Sequence, residues 1–194
     1  MQRRVEPHDS LDDFPTPPWA TRAICERIGD VSSMTVREPC ANRGYMVRPL
    51  SEYFDTVIAS DIFDYGQGYM IEDYLFGPSE PVDWTFMNPP FRLAQQFIEK
   101  ALGTSKHGVA VIVRSAFLEG IERFNSIYSV SPPSAVYQFS ERVPMVKGRY
   151  DPKISSATAY AWLVWETERT QETRLRWIEP CKARLFREYD EVAA

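Results

Sequence analysis

The chain has 194 residues, with 22 Lys and Arg against 27 Asp and Glu, and a formal charge of −5. Hydrophobic residues at 44% and charged residues at 25% match ordinary globular usage and exclude a wholly disordered chain. The length suits one domain over 1–194, no apolar run approaches the ~18–20 residues of a membrane span, and the acidic balance argues against a general attraction to phosphates.

Residues 1–12 turn acidic at once and lack the apolar stretch of a secretory signal, so they read as a flexible arm on a soluble, cytoplasmic protein. After Pro17-Pro18, apolar residues at Trp19, Ala23, Ile24 and Ile28 predict a helix that stops at Gly29. Met34–Arg37 reads as a short buried strand. A helix from about Tyr45 to Phe54 follows, with Pro49 weakening it or sitting in its first turn. Strand-like runs then recur at Thr56–Ala59, Trp84–Met87, Val109–Val113, Ala135–Phe139 and Ala157–Trp165. Helical patterns separate several of them, at Leu93, Phe97, Ile98, Ala101 and Leu102, and again at Phe117, Ile121, Phe124 and Ile127. Alternating strands and helices predict an α/β, mostly parallel open sheet. The last long strand follows a loop, which favours antiparallel pairing near the edge. Residues 167–194 read as a C-terminal basic extension, in which Arg174 and Arg176 alternate with Leu175 and Trp177 as in an edge strand.

Three segments follow predicted strands and carry candidate chemistry. In Glu38-Pro39-Cys40-Ala41-Asn42-Arg43-Gly44 an acid ends a strand, a tight turn follows and a helix begins. This is either a plain connection or a turn whose N–H groups approach a nucleotide-like ligand. Asp61 ends the next strand, where a carboxylate can accept both hydroxyls of a ribose. The sharpest signal is Asn88-Pro89-Pro90-Phe91. Two prolines fix the turn and remove two donors, which leaves the Asn88 amide oxygen and the Pro89 carbonyl to accept both hydrogens of an exocyclic amine. Phe91 offers a face on which a planar base stacks, a contact of ~1–3 kcal/mol.

These motifs make the chain resemble the class I S-adenosylmethionine-dependent methyltransferases, and most of all the adenine-N6 DNA methyltransferases of phage and prophage genomes. The resemblance spans roughly residues 12–166. It implies a Rossmann-like sheet of seven strands in the order 3-2-1-4-5-7-6, with strand 7 antiparallel and helices on both faces. It implies S-adenosyl-L-methionine as cofactor and DNA adenine as substrate, in a bacterial or phage-infected cell. By the same resemblance, Asn88, Pro89, Pro90 and Phe91 are catalytic. Phe14, Pro15, Thr16 and Pro17 close over the methionine end of the cofactor. Glu38, Cys40, Ala41, Asn42 and Gly44 form its loop, Asp61 and Ile62 hold its ribose side, and Asp73 approaches its adenine. Gly148–Val164 is similar to the late hairpin and loop that approach the target base. Asn42 departs from the pattern, standing where the family has its first loop glycine; Asn tolerates the left-handed conformation but brings a side chain toward the cofactor.

The substrate-side expectations rest on charge. Arg142, Lys147, Arg149 and Lys153 fall in one loop with a local excess of +2 over Glu141 and Asp151, as either a solvated loop or a set of phosphate contacts. Acids concentrate elsewhere, four in Glu6–Asp13 and four in Glu72–Asp83 without any Lys or Arg, so a polarised surface is expected. His8 and His107 are isolated and the three cysteines scattered, so no metal site is expected. The same loop chemistry also serves RNA bases and a glutamine side chain of proteins, and a non-catalytic binding module on this fold is a third alternative.

Overall fold

The computed structural model describes residues 12–154, 156–166 and 172–191. The predicted N-terminal arm lies, Asp12 excepted, outside the described residues. Among them no helix is long and apolar enough to cross a membrane. Eight strands form one sheet: β1 (Thr35–Glu38), β2 (Thr56–Asp61), β3 (Met70–Ile71), β4 (Val82–Met87), β5 (Ser105–Arg114), β6 (Ala135–Phe139), β7 (Tyr160–Glu166) and β8 (Arg174–Ile178). Their order is β3-β2-β1-β4-β5-β7-β6-β8. The first seven follow the order expected for the methyltransferase sheet, and β8 adds an eighth strand at the outer edge. All pairings are parallel except those of β7 with β5 and β6. The sheet is a mixed, mostly parallel Rossmann-like one with an antiparallel region near the edge.

The central strand explains the layering. In β5, Ala110 and Ile112 point into one core while Val109, Val111 and Val113 point into the other, so neither face is left for polar residues. Helix α1 (Pro18–Cys25), the single turn α2 (Val47–Leu50) and α5 (Lys182–Leu185) cover the first face through Trp19, Ile24, Leu50 and Leu185. Helix α3 (Ala94–Thr104) covers the second through Phe97, Ile98 and Ala101.

Two expected helices are shorter or broken. The one around Tyr45–Phe54 keeps only α2, because Pro49 has no N–H to give and the chain closes with tight bonds from Glu52 N–H to Pro49 and from Tyr53 N–H to Leu50. The pattern from Phe117 to Ile127 splits into a 3₁₀ turn (Ser115–Leu118), α4 (Ile121–Arg123) and a π turn (Phe124–Tyr128). Gly120 at φ 131° breaks the backbone, and the Ser129 N–H reaches back five residues to Phe124 O at 2.8 Å.

A buried ion cluster fixes the chain's end to its beginning. Arg22, wholly buried on α1, donates to both oxygens of Glu52 at 2.6 and 2.7 Å, both of Asp190 at 2.7 and 2.9 Å, and Leu185 O at 2.9 Å. Burial works to lower its pKa, but the two carboxylates hold it above the usual guanidinium value. Asp190 is likewise fully buried, whereas the Glu52 side chain is 31% exposed. Removing a buried partner strands the opposite charge. Asp190→Ala is therefore expected to lower the unfolding free energy by about 3–5 kcal/mol in urea titrations, clearly more than Glu52→Ala; equal losses from the two variants would contradict this account.

Candidate functional site

Strands β1, β2 and β4 end at one edge of the sheet, where open α/β folds place their ligands. A cleft opens there. Of the sequence candidates, Phe14, Pro15, Thr16, Cys40, Ala41, Asn42, Asp61, Ile62, Asp73, Asn88 and Pro90 line it. Pro17, Glu38, Gly44, Pro89 and Phe91 do not, although each lies next to a residue or loop that does. Asp12, Tyr45, Met46, Tyr65 and Phe97, which sequence reasoning did not name as site residues, also line the cleft, as do Glu72 and Tyr74 on either side of Asp73.

The loop after β1 is held by the acids at two strand ends. The Cys40 N–H donates to Glu38 Oε1 at 3.0 Å, and the Asn42 N–H donates to Asp61 Oδ2 at 2.9 Å. Phe63 N–H donates to the other Asp61 oxygen, also at 3.0 Å. Asn42 sits at φ 50°, the left-handed conformation expected of it, and Gly44 follows at φ 78°. The Asn42 side chain is fully engaged: its Nδ2 donates to Asp13 Oδ1 at 2.8 Å and its Oδ1 accepts from the Arg43 N–H at 2.7 Å. The departure from glycine thus serves a specific bond to the N-terminal segment.

Glu38 is wholly buried, and its Oε2 has no hydrogen-bond partner among the described residues. Burial pushes its carboxyl well above the usual carboxylate range, with a further push from Asp61. Burial also raises Asp61, against the pull of the N–H groups of Asn42 and Phe63. Cys40 is driven up by burial, Glu38 and Asp61, which leaves it a poor thiolate and no nucleophile.

Residues 12–17 cross the cleft as a strap. Asp13 takes Arg43 Nη1 on both oxygens at 2.7 and 2.8 Å, and its carbonyl accepts the Gly148 N–H at 2.8 Å. Asp12 Oδ2 accepts the Phe91 N–H at 2.8 Å. On the loop after β4, Asn88 Nδ2 donates to Phe14 O at 2.8 Å and Thr16 Oγ1 at 3.1 Å. Both amide hydrogens are thereby used, and Asn88 Oδ1 remains as the acceptor. Pro90 O accepts the Leu93 N–H at 3.0 Å, which closes the turn into α3. The Phe91 ring carries the Arg114 guanidinium 4.0 Å from its centroid and meets Phe14 at 5.3 Å, tilted by 44°. This ring is therefore not the bare platform that the sequence suggested.

Arg142, Lys147, Arg149 and Lys153 are all exposed in the loop between β6 and β7. Arg142 donates to Ala157 O at 3.0 Å, and Arg149 lies 3.8 Å from Asp151. The turn bearing Lys147 and Arg149 reaches the strap, where the Gly148 N–H donates to Asp13 O. Part of the tail's positive charge is used internally: Arg184 pairs with Glu26 at 2.7 Å, and Lys182 donates to Pro152 O at 2.5 Å.

No family model and no curated relative matches the chain. Solved structures do. A protein of Listeria monocytogenes assigned as a class I S-adenosylmethionine-dependent methyltransferase superposes with a TM-score of 0.65 at 13% identity, covering 88% of this chain and 68% of its own. One from Pyrococcus horikoshii, assigned as an RNA methyltransferase, gives 0.62 at 16% identity over 86% and 92%. The methyltransferase subunit of a type I restriction-modification system from Streptococcus thermophilus gives 0.63 at 10% identity, over 85% of this chain but 47% of that one. The fold is that of the class I S-adenosylmethionine-dependent methyltransferases.

Because Glu38 binds its proton more tightly in the fold, stability is greatest below the ordinary carboxylate range and is lost as pH rises toward the raised value. Glu38→Gln removes this penalty. Its melting temperature relative to the parent is expected to climb from about pH 5 to pH 8, read by thermal unfolding across that series; parallel profiles would show that Glu38 does not carry the effect.

Proposed function

We propose that the chain transfers a methyl group from S-adenosyl-L-methionine to the exocyclic N6 amine of adenine in DNA. The observation that carries this reading is the commitment of both Asn88 amide hydrogens to Phe14 and Thr16, which reserves the amide oxygen for a substrate amine. An Asn oxygen held beside two prolines accepts hydrogens from an NH₂ group and turns its nitrogen lone pair outward.

The cleft suits a cationic, adenosine-bearing cofactor by its donor set. Asp61, Glu72 and Asp73 line it, and the partnerless Glu38 oxygen lies at the end of the adjoining strand. When bound, S-adenosyl-L-methionine supplies a methyl group on a positively charged sulfonium. Asp61 would take its ribose, with Ile62 alongside, and Asp73 would serve its adenine. Phe14, Pro15, Thr16 and Pro17 would cover its methionine end, and the backbone of Cys40, Ala41, Asn42 and Gly44 would form its loop. Asn42 supports cofactor binding rather than a non-catalytic module, because its side chain is bonded to Asp13 and Arg43.

For the acceptor, Asn88 Oδ1 and the Pro89 carbonyl would hold the amine, and Phe91 would offer the ring surface not covered by Arg114. Adenine is stacked within duplex DNA, so the base has to be flipped out at a cost of a few kcal/mol. Arg142, Lys147, Arg149 and Lys153 would contact the flanking phosphates. The Phe-Pro-Thr-Pro strap and Phe91 favour DNA over RNA or a protein glutamine. DNA, RNA and protein offered in parallel with labelled cofactor should give labelled N6-methyladenine from DNA. Asn88→Ala is expected to lower that transfer by at least about 100-fold, while calorimetry still detects cofactor binding; wild-type-like turnover in the variant would sink the mechanism.

A further inference from the structure

One cationic side chain held against the Asn88–Phe91 loop lies outside the basic loop that the sequence singled out. Arg114 is the last residue of β5, beside the strand end that carries Asn88–Phe91. It is exposed, yet its guanidinium carbon lies over an aromatic ring, 4.0 Å from the Phe91 centroid. Tyr160, its neighbour across the β5–β7 pair, also interacts with it.

The other well-placed arginines have their charge answered. Arg22, Arg27, Arg43 and Arg184 each lie within 2.9 Å of a carboxylate. Arg114 has no carboxylate within ion-pair distance among the described residues. A cation stacked on a ring uses its π face and keeps its N–H edges for planar, bidentate recognition of an anion. Phe91 is itself pinned, because its N–H donates to Asp12. The guanidinium is therefore a positioned charge without a carboxylate partner among the described residues, against the loop that follows β4, with little entropy left to lose on binding.

We propose that Arg114, stacked on Phe91, is a positioning residue that binds the phosphate flanking the target nucleotide and so sets the target amine against Asn88. This rests on the DNA reading above. Phe91 then serves the backbone of the substrate through Arg114 as well as the base through its own ring. The hairpin turn of Lys147 and Arg149, tied to the strap through Gly148, supplies a second group of cations beside the strap.

The test compares Arg114→Gln, Arg114→Lys and Arg176→Gln with the parent. Arg176 is a matched control, an exposed arginine 5.8 Å from the Tyr137 ring on the edge strand and away from the cleft. For Arg114→Gln, the plot of log binding constant against log salt should become shallower by about 0.7–0.9, the loss of one phosphate contact. The KM for DNA should rise about tenfold, as for a lost charge-assisted bond, and kcat should fall as well, because the target amine is less well set against Asn88. Cofactor binding by calorimetry should match the parent, which shows that the variant is folded. Arg114→Lys should recover most of the salt slope, and Arg176→Gln should change neither slope nor KM. An unchanged slope in Arg114→Gln, or an equal loss in Arg176→Gln, overturns the proposal while leaving DNA methylation intact. A parent protein that binds the cofactor but transfers nothing to DNA overturns the DNA reading itself, and this proposal with it.

Discussion

The Asn88 amide is oriented by a six-residue strap, which claims its nitrogen and leaves its oxygen as the acceptor. Phe14 O and Thr16 Oγ1 consume the two Asn88 amide hydrogens, Asp12 takes the Phe91 N–H, and Asp13 binds Asn42 and Arg43. The loops after β1 and β4 thus share one partner in place of direct bonds to each other. A charge-assisted bond to a carboxylate is roughly twice as strong as a neutral one. Two adjacent aspartates therefore place most of the holding force at one point of the backbone. The strap can stay in register because the helix that follows it, α1, is buried along its whole length.

That burial has its own cause. Helix α1 packs Trp19, Ala23 and Ile24 on the sheet and turns Arg22 into a cluster with Glu52 and Asp190. The cluster joins the residues after the strap, the turn after α2 and the last described segment of the chain. A site near the N-terminus is in this way anchored by residues near the C-terminus, with hydrogen-bond partners 168 positions apart. The paired acids satisfy the guanidinium in every direction that matters, so the ions fix a geometry that apolar packing alone would leave loose.

The sheet was largely legible in the sequence because its central strands are covered on both faces. Such strands read as continuous apolar runs, as in Val109–Val113, and the runs match the observed strands within a few residues. The short edge strand Met70–Ile71 was missed, since two exposed residues carry no periodicity. Helical spacing overstated the segments at Tyr45–Phe54 and Phe117–Ile127, where Pro49 and Gly120 prevailed over the pattern. Motif reading found most of the cleft, because Glu38, Asp61 and Asn88 all follow strands directly. It did not find the Asp12–Asp13 bonds, Tyr65 or Arg114, which meet these loops by long-range packing. Only the position of two aspartates immediately before Phe-Pro-Thr-Pro offered a clue. The net charge of −5 said little about the surface: the Arg22–Asp190 and Arg43–Asp13 pairs leave it unchanged, and only the distribution of the remaining charges bears on phosphate contacts.

The outer strand gives the basic tail a further meaning. Strand β8 pairs with β6 along one side only, and among the described residues nothing pairs with the other. Leu175 and Trp177 are 54% and 63% exposed on it. An apolar edge with unpaired backbone groups is a template on which strands of other molecules add. Arg174 and Arg176 stand at alternate positions of that template, so a second copy docking edge to edge would bring like charges together within the space of a few residues. The arginines read from the sequence as part of an edge strand thereby disfavour edge-to-edge addition of a second copy.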